Sequence, residues 1–383
     1  MEKIYADHAA TTPISDSALK VMVDCMRNFY GNPSSAHQHG REAAHILEDS
    51  REKIAACIGA DSEEIYFTSG GTEADNQAIF SAAAFGKSVG KKHMIFSKIE
   101  HHAVLNCIPA LEKAGFEITL IGVDSRGRVS LEEIEEALRK DTVLVAVMYV
   151  NNEVGTIEPI AEIGKLCKDR NILFHVDGVA AAGHVPIDVK KLGVSTLAIS
   201  GHKFHGPRGI GALYVDKNVP VTNLMYGGSQ ERNKRPGTQN VPGASAMAKA
   251  LSDAMMTLDE QMNKLEQLRT RLLEGLKDLD GMWVNGDPEN RVPGIVNLGF
   301  RDVSGETLLL LLDLRGLSVS TGSACNTHSV EPSHVLTAMG LPRKDAGGCI
   351  RLSFSADNTE EEIDEICTIL YEEVERARGS GAS

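Results

Sequence analysis

From about residue 60 to residue 215, short β-rich runs alternate with helical patterns, and no other feature narrows the fold as much. The runs are Glu64–Phe67, Met94–Ser97, Glu117–Val123, Thr142–Val150, Ile172–Val176, Thr196–Ser200 and Gly211–Val215. Among the helical segments between them, Ser130-Leu-Glu-Glu133 has the form of a capping box. Leu131, Ile134 and Leu138 then follow at helical spacing. Such alternation implies a largely parallel sheet covered by helices on both faces, hence an α/β fold. Ligands of these sheets bind beyond the carboxyl ends of the strands.

The rest of the chain reads differently. A long helical stretch covers Met247–Lys277, and alternation then resumes. The last helix opens on the box Thr359-Glu-Glu-Glu362, with Ile363, Ile366, Leu370 and Val374 as its buried stripe. At ~150 residues per domain, 383 residues predict two or three units. The expected division is a large domain over 14–255 and a smaller α+β domain over 256–383, completed by the arm 1–13. A net charge of −14 argues against a nucleic-acid surface, which needs a basic patch. No apolar run approaches the ~20 residues of a membrane helix, and the N-terminus lacks a signal-peptide pattern. The seven cysteines show no C-x-x-C pair, as expected of reduced thiols in a cytoplasmic protein.

Four segments carry chemistry. Thr68-Ser-Gly-Gly-Thr-Glu-Ala-Asp75 follows a strand directly. Its glycines let backbone N–H groups approach an anion at a helix start, and Gly71 and Thr72 suit a phosphate. An ordinary strand-to-helix turn would look similar. In Phe174-His-Val-Asp-Gly178, Asp177 ends a hydrophobic strand and needs a positive partner, either a pyridinium nitrogen or a structural arginine. In Ser200-Gly-His-Lys-Phe-His-Gly-Pro-Arg-Gly-Ile-Gly211, Lys203 lies just past a strand among glycines and histidines, a setting that suits a Schiff-base lysine. His202 and His205 have no third ligand at telling spacing, so no metal site is expected. Finally, Cys325 sits in the small, polar loop Ser320-Thr-Gly-Ser-Ala-Cys-Asn-Thr327, where a reactive thiol is more plausible than in a core. Glu331-Pro-Ser333 then reads as a helix start with Pro in its first turn.

Together these segments resemble the cysteine desulfurases of the class V aminotransferase-like, pyridoxal-phosphate family. The resemblance runs essentially end to end. Further motifs that carry it are Tyr5-Ala-Asp-His-Ala-Ala-Thr-Thr-Pro13, Gly31-Asn-Pro-Ser-Ser35, Glu100-His101, Asn151-Asn-Glu-Val-Gly155, Arg235-Pro-Gly-Thr238 and Ile350-Arg351.

The resemblance implies the pyridoxal-phosphate-dependent transferase fold, similar to that of aspartate aminotransferase. It implies that Lys203 binds pyridoxal 5'-phosphate covalently and that Asp177 pairs with the ring nitrogen. His101 would stack on the ring as an acid/base. Gly71, Thr72, Ser200 and His202 would hold the phosphate, with Thr238 reaching in from the partner of a homodimer. Asn152 would contact the ring oxygen or the substrate, and Arg351 would grip the carboxylate of L-cysteine. Cys325 would take the sulfur as a persulfide and pass it to an acceptor protein. Twenty-five residues lie between Cys325 and Arg351. That span resembles the long-loop branch, which serves iron–sulfur scaffold or tRNA-thiolation proteins.

The chain departs from the family pattern at three places, the slightest being Leu-Ser-Phe-Ser355 after Arg351. Ala180 stands where the family usually has Gln, and Cys349 where it has Ser or another small residue. Selenocysteine lyase, or another lyase or transaminase of the same fold, is the alternative reading. Cys325 argues against a transaminase, which has no use for it.

Overall fold

The computed structural model describes residues 3–321 and 332–380. Its strands are β1 (Ile4–Tyr5), β2 (Ile65–Thr68), β3 (His93–Ser97), β4 (Glu117–Ile121), β5 (Thr142–Ala146), β6 (Leu173–Asp177), β7 (Thr196–Ser200), β8 (Gly211–Val215), β9 (Met282–Asn285), β10 (Ile295–Phe300), β11 (Leu317–Ser318) and β12 (Cys349–Ser353). Seven of them form one sheet in the order β2-β8-β7-β6-β5-β3-β4. Strands β7, β6, β5, β3 and β4 are mutually parallel, and β8 runs antiparallel to both its neighbours. Every residue of β3, β5, β7 and β8 is buried, as a sheet with both faces covered requires.

A second core lies around the three-stranded sheet β12-β10-β9. It gathers Leu265, Leu268, Leu298, Ile350 and the stripe Ile363, Ile366, Leu370 and Val374. The N-terminal arm joins this core: β1 pairs with β11, and Ile4 and Ala6 are buried in it. The final helix, Glu360–Ser380, opens as its sequence implies. Glu362 accepts the Thr359 N–H at 2.9 Å, and the Thr359 hydroxyl accepts the Glu362 N–H at 3.2 Å.

Four local expectations need correction. The stretch Met247–Lys277 is not one helix. Val241–Met256 and Leu258–Gly275 are separate, broken at Thr257 (φ −114°, ψ 16°). Periodicity runs through the break, but Leu251 faces the core of the large sheet while Leu265 faces the second core. The run Thr142–Val150 leaves the strand after Ala146, although Val147, Met148 and Val150 stay buried and lead into the site. Ser130 caps Leu131–Ala137, yet Glu133 turns away to accept the Gly122 N–H, so the box is one-sided. Ser333 caps the helix His334–Ala338, which puts Pro332 before the cap rather than in the first turn.

Candidate active site

The carboxyl ends of β6 and β7 and the start of the helix Gly71–Val89 converge on a cavity of about 310 Å³. Gly71, Thr72, Asp75, His101, Asn152, Asp177, Ala180, Ser200, His202, Lys203 and Arg351 are among its lining residues. All the single-chain cofactor and substrate residues expected from the sequence are therefore brought together. Thr238 is exposed and does not line the cavity. Cys325 lies outside the described residues.

The floor is built from short sequence segments. Asp177 closes β6, is 4 % exposed and accepts the Val179 N–H at 2.9 Å. Burial raises the pKa of its carboxyl, and Lys203 opposes the rise. Ser200 closes β7, and the single turn Gly201–Lys203 carries Lys203 into the cavity. Close packing explains two of the glycines beside it. A Cβ on Gly71 would stand 2.5 Å from Val179, and one on Gly211 would stand 2.7 Å from the Gly70 Cα. The first N–H groups of the helix at Gly71 have no partner within the helix and face an anion favourably.

His101 caps the short helix His102–Leu105, its Nδ1 accepting the Ala103 N–H at 3.0 Å. That bond assigns the ring proton to Nε2 in the neutral form. Burial, Lys203 and His102 lower its pKa to about 4, so the ring is neutral at physiological pH. His202 is lowered to about 4 by burial, Lys203 and Arg208.

The rim comes from distant parts of the chain. The Lys203 Nζ donates to the Ala9 and Ala10 carbonyls at 2.6 and 2.9 Å. Thr12 donates its hydroxyl to the His202 carbonyl, and the Thr11 hydroxyl meets His202 Nδ1 at 3.2 Å. Arg351, from β12, donates to the Asn152 carbonyl at 3.0 Å and to Asp7 at 2.8 Å. Its buried Nε has no partner among the described residues. Asn151 shapes the loop that carries Asn152, its Oδ1 accepting the N–H groups of Glu153 and Val154. The roles of Asp7, Ala9, Ala10 and Asn151 were not legible beforehand. Main-chain carbonyls carry no sequence signal, and the motif Tyr5–Pro13 did not disclose what it touches.

Cys349 does not line the cavity. It packs with Ile99, Met148, Val154 and Val335, donates to the Asp345 carbonyl at 3.3 Å, and burial pushes its thiol up to about 12. His202 and His205 are engaged by the N-terminal arm. No group of three or more His, Cys, Asp or Glu side chains suited to a metal occurs among the described residues.

The chain is similar to known proteins along nearly its whole length. The family model described as "Aminotransferase class-V" matches residues 4–366. A cysteine desulfurase IscS of Methanosarcina thermophila is 47% identical over 98% of this chain and 93% of its own length. A solved NifS-like protein superposes with a TM-score of 0.92 at 40% identity, covering 98% of this chain and all of its own. SspA, solved in complex with cysteine, superposes with a TM-score of 0.81 at 33% identity over 93% of this chain and 99% of its own. With a matching model over nearly the whole chain and relatives of this identity, the chain belongs to the class-V aminotransferase family, in its cysteine desulfurase branch.

Proposed function

We propose that this protein is a pyridoxal-phosphate-dependent cysteine desulfurase that converts L-cysteine to L-alanine and receives the sulfur as a persulfide on Cys325. The observation that carries the reading is the convergence of Lys203, Asp177, His101 and Arg351 on one cavity. The donor set fits the cofactor. A buried carboxyl at Asp177 seeks a positive ring nitrogen, Lys203 offers an amine, and the start of the helix at Gly71 offers N–H groups to a phosphate, with Thr72, Ser200 and His202 beside it. Bound there, pyridoxal phosphate supplies an electron sink for negative charge at the substrate Cα.

The residues of the chain do the rest. Lys203 moves the Cα proton. Arg351 orients the substrate carboxylate through its guanidinium fork, and the Asn152 carbonyl and Asp7 hold that fork in place. His101, neutral, exchanges a proton near the substrate thiol. In the transfer step the Cys325 thiolate attacks the substrate sulfur, and the C–S bond breaks. Its electron pair stays on the substrate, which takes up a proton to become L-alanine. A sulfur-acceptor protein of iron–sulfur cluster assembly or tRNA thiolation then removes the persulfide sulfur.

The protein acts as a homodimer, with Thr238 completing the phosphate site of the other copy. Two facts support this. Thr238 is exposed, and Leu19, Val23 and Met26 form an exposed apolar stripe on the helix Asp16–Asn28, with Tyr30 exposed just beyond its end. A cytoplasmic location suits the reduced thiols, and no helix among the described residues is long and apolar enough to cross a membrane. The test is to purify the protein, record its visible spectrum, and supply L-cysteine with a reductant. Equal amounts of alanine and sulfide are expected. A colourless protein that releases neither would overturn the reading.

A further inference from the structure

Asp75, in the cavity wall, and His175, which does not line the cavity, form a polar pair with no part in the steps above. Asp75 Oδ1 sits 3.2 Å from His175 Nε2, and each side chain is 1 % exposed. His175 Nδ1 sits 2.9 Å from the Thr196 hydroxyl. His175 and Asp177 are two apart on β6 and so share one face of the sheet, the face against which the helix Gly71–Val89 packs.

An oxygen and a nitrogen lone pair cannot face each other at that distance without water, so a proton lies between them. Three arrangements place it there. Carboxylate with Nε2–H imidazole leaves the pair with one negative charge. Carboxylate with imidazolium is neutral overall but buries two ions. Carboxylic acid with Nδ1–H imidazole is neutral and buries none.

The surroundings decide among these. The acidic groups that press on Asp75 are Asp177 and Glu100, and Cys107 adds a thiol nearby. Lys203 is the cation that acts on Asp177. A second anion beside Asp177 would compete for that one cation, and like charges in a buried space drive one group to neutrality. Two buried ions also cost more than a buried neutral pair whose hydrogen bonds are complete. Burial, Asp177 and Glu100 all raise the Asp75 carboxyl, and burial lowers His175 to about 3. Asp75 lies beyond the first turn of its helix, where the favour for negative charge has faded.

We propose that Asp75 is held as a neutral carboxylic acid that donates to His175 Nε2, with the His175 Nδ1–H directed at Thr196, so that Asp177 is the sole anion on the cavity floor. Asp75 and His175 are then positioning residues: they act on the ring nitrogen of the cofactor only through the charge of Asp177. The inference deepens the cofactor reading given above, but its first test does not depend on it.

That test uses the cofactor-free protein at neutral pH. Infrared difference spectroscopy between the wild type and Asp75→Asn should show a protonated-carboxyl C=O band in the wild type and none in the variant. Nitrogen NMR of the unmutated protein, with His175 assigned by its loss in His175→Gln, should show a Nδ1–H tautomer. A missing acid band, an imidazolium or a Nε2–H tautomer would overturn the proposal. The second test uses the loaded protein. Asparagine is also a neutral donor, so Asp75→Asn should leave the pH midpoint of the visible cofactor band where it is. A shifted midpoint would mean that an anion had been removed, and would overturn the proposal. Absence of a visible band in both proteins would sink the cofactor reading instead, with the infrared result still deciding the state of Asp75.

Discussion

The floor and the rim of the cavity are built in opposite ways. On the floor, Asp177, Ser200 and Lys203 come from the ends of β6 and β7 and the turn after β7, inside a sheet buried on both faces. At the rim, Asp7 meets Arg351 and Ala9 meets Lys203 across 344 and 194 residues of sequence. The floor is as rigid as the sheet. The rim is only as well placed as the contacts between the arm, β12 and the loop at Asn152. Chemistry that needs a fixed cofactor belongs on the floor, and recognition of a small substrate belongs at the rim.

The largest effect should fall on the floor. Lys203→Ala should reduce turnover by roughly 10²–10⁴-fold or more, since its amine is the proposed general base, and should change the visible spectrum of bound cofactor. Unchanged turnover would break the assignment.

A buried ion pair braces β2, the strand that leads into the Gly71 helix. Arg51 donates to Glu231 at 2.7 and 3.0 Å, and Glu231 also accepts the Phe67 N–H. This anchors three consecutive residues at positive φ, Glu231, Arg232 and Asn233. Glu231→Ala should cost about 3–5 kcal/mol by stranding a buried charge, seen as a lower Tm. A Tm within a degree or so of the wild type would show that the turn holds without its clamp; such a loss should shift Tm by several degrees.

Two buried carboxyls, one of them facing the charge of Arg351, give a pH test. Burial raises Glu153 to about 7 and Glu158 to about 8. For a carboxyl raised on folding, the folded state binds more protons than the unfolded one. Stability is therefore greatest below the unfolded value near 4.5 and falls as pH rises towards 7 and 8. Glu153→Gln should flatten its share of that fall, worth up to ~3 kcal/mol. The measurement is Tm against pH for the variant and the wild type; parallel curves would exclude Glu153 as a source.

The rim itself is tested at Arg351. Arg351→Lys keeps the charge and loses the fork, so the KM for L-cysteine should rise by roughly 10- to 100-fold, about 1.5–3 kcal/mol, with a smaller change in kcat. A fall in kcat alone would move Arg351 from recognition to chemistry. The smallest effect is expected at Cys349, which shares a strand face with Arg351 but packs away from the cavity. Cys349→Ser should leave kcat/KM unchanged within about twofold and cost no more than ~1.5 kcal/mol of stability. A large loss of activity would give its thiol a part in the reaction.

The alternation of strands and helices, the burial of Val143–Val145 and the stripe of the last helix were legible because they depend on local periodicity and hydrophobic burial. Lys203 and Asp177 were legible for a related reason: in a parallel sheet, the residue after a strand end is carried to the ligand side whatever the loops do. Tertiary structure alone decided the break at Thr257, because nothing in a continuous helical pattern tells which of two cores each half will face. It also decided that the Ala9 and Ala10 carbonyls hold Lys203, that Asp7 holds Arg351, and that Asp75 meets His175. Main-chain groups look alike in every sequence, and pairs separated by a hundred residues or more exist only once the sheet and the arm have closed.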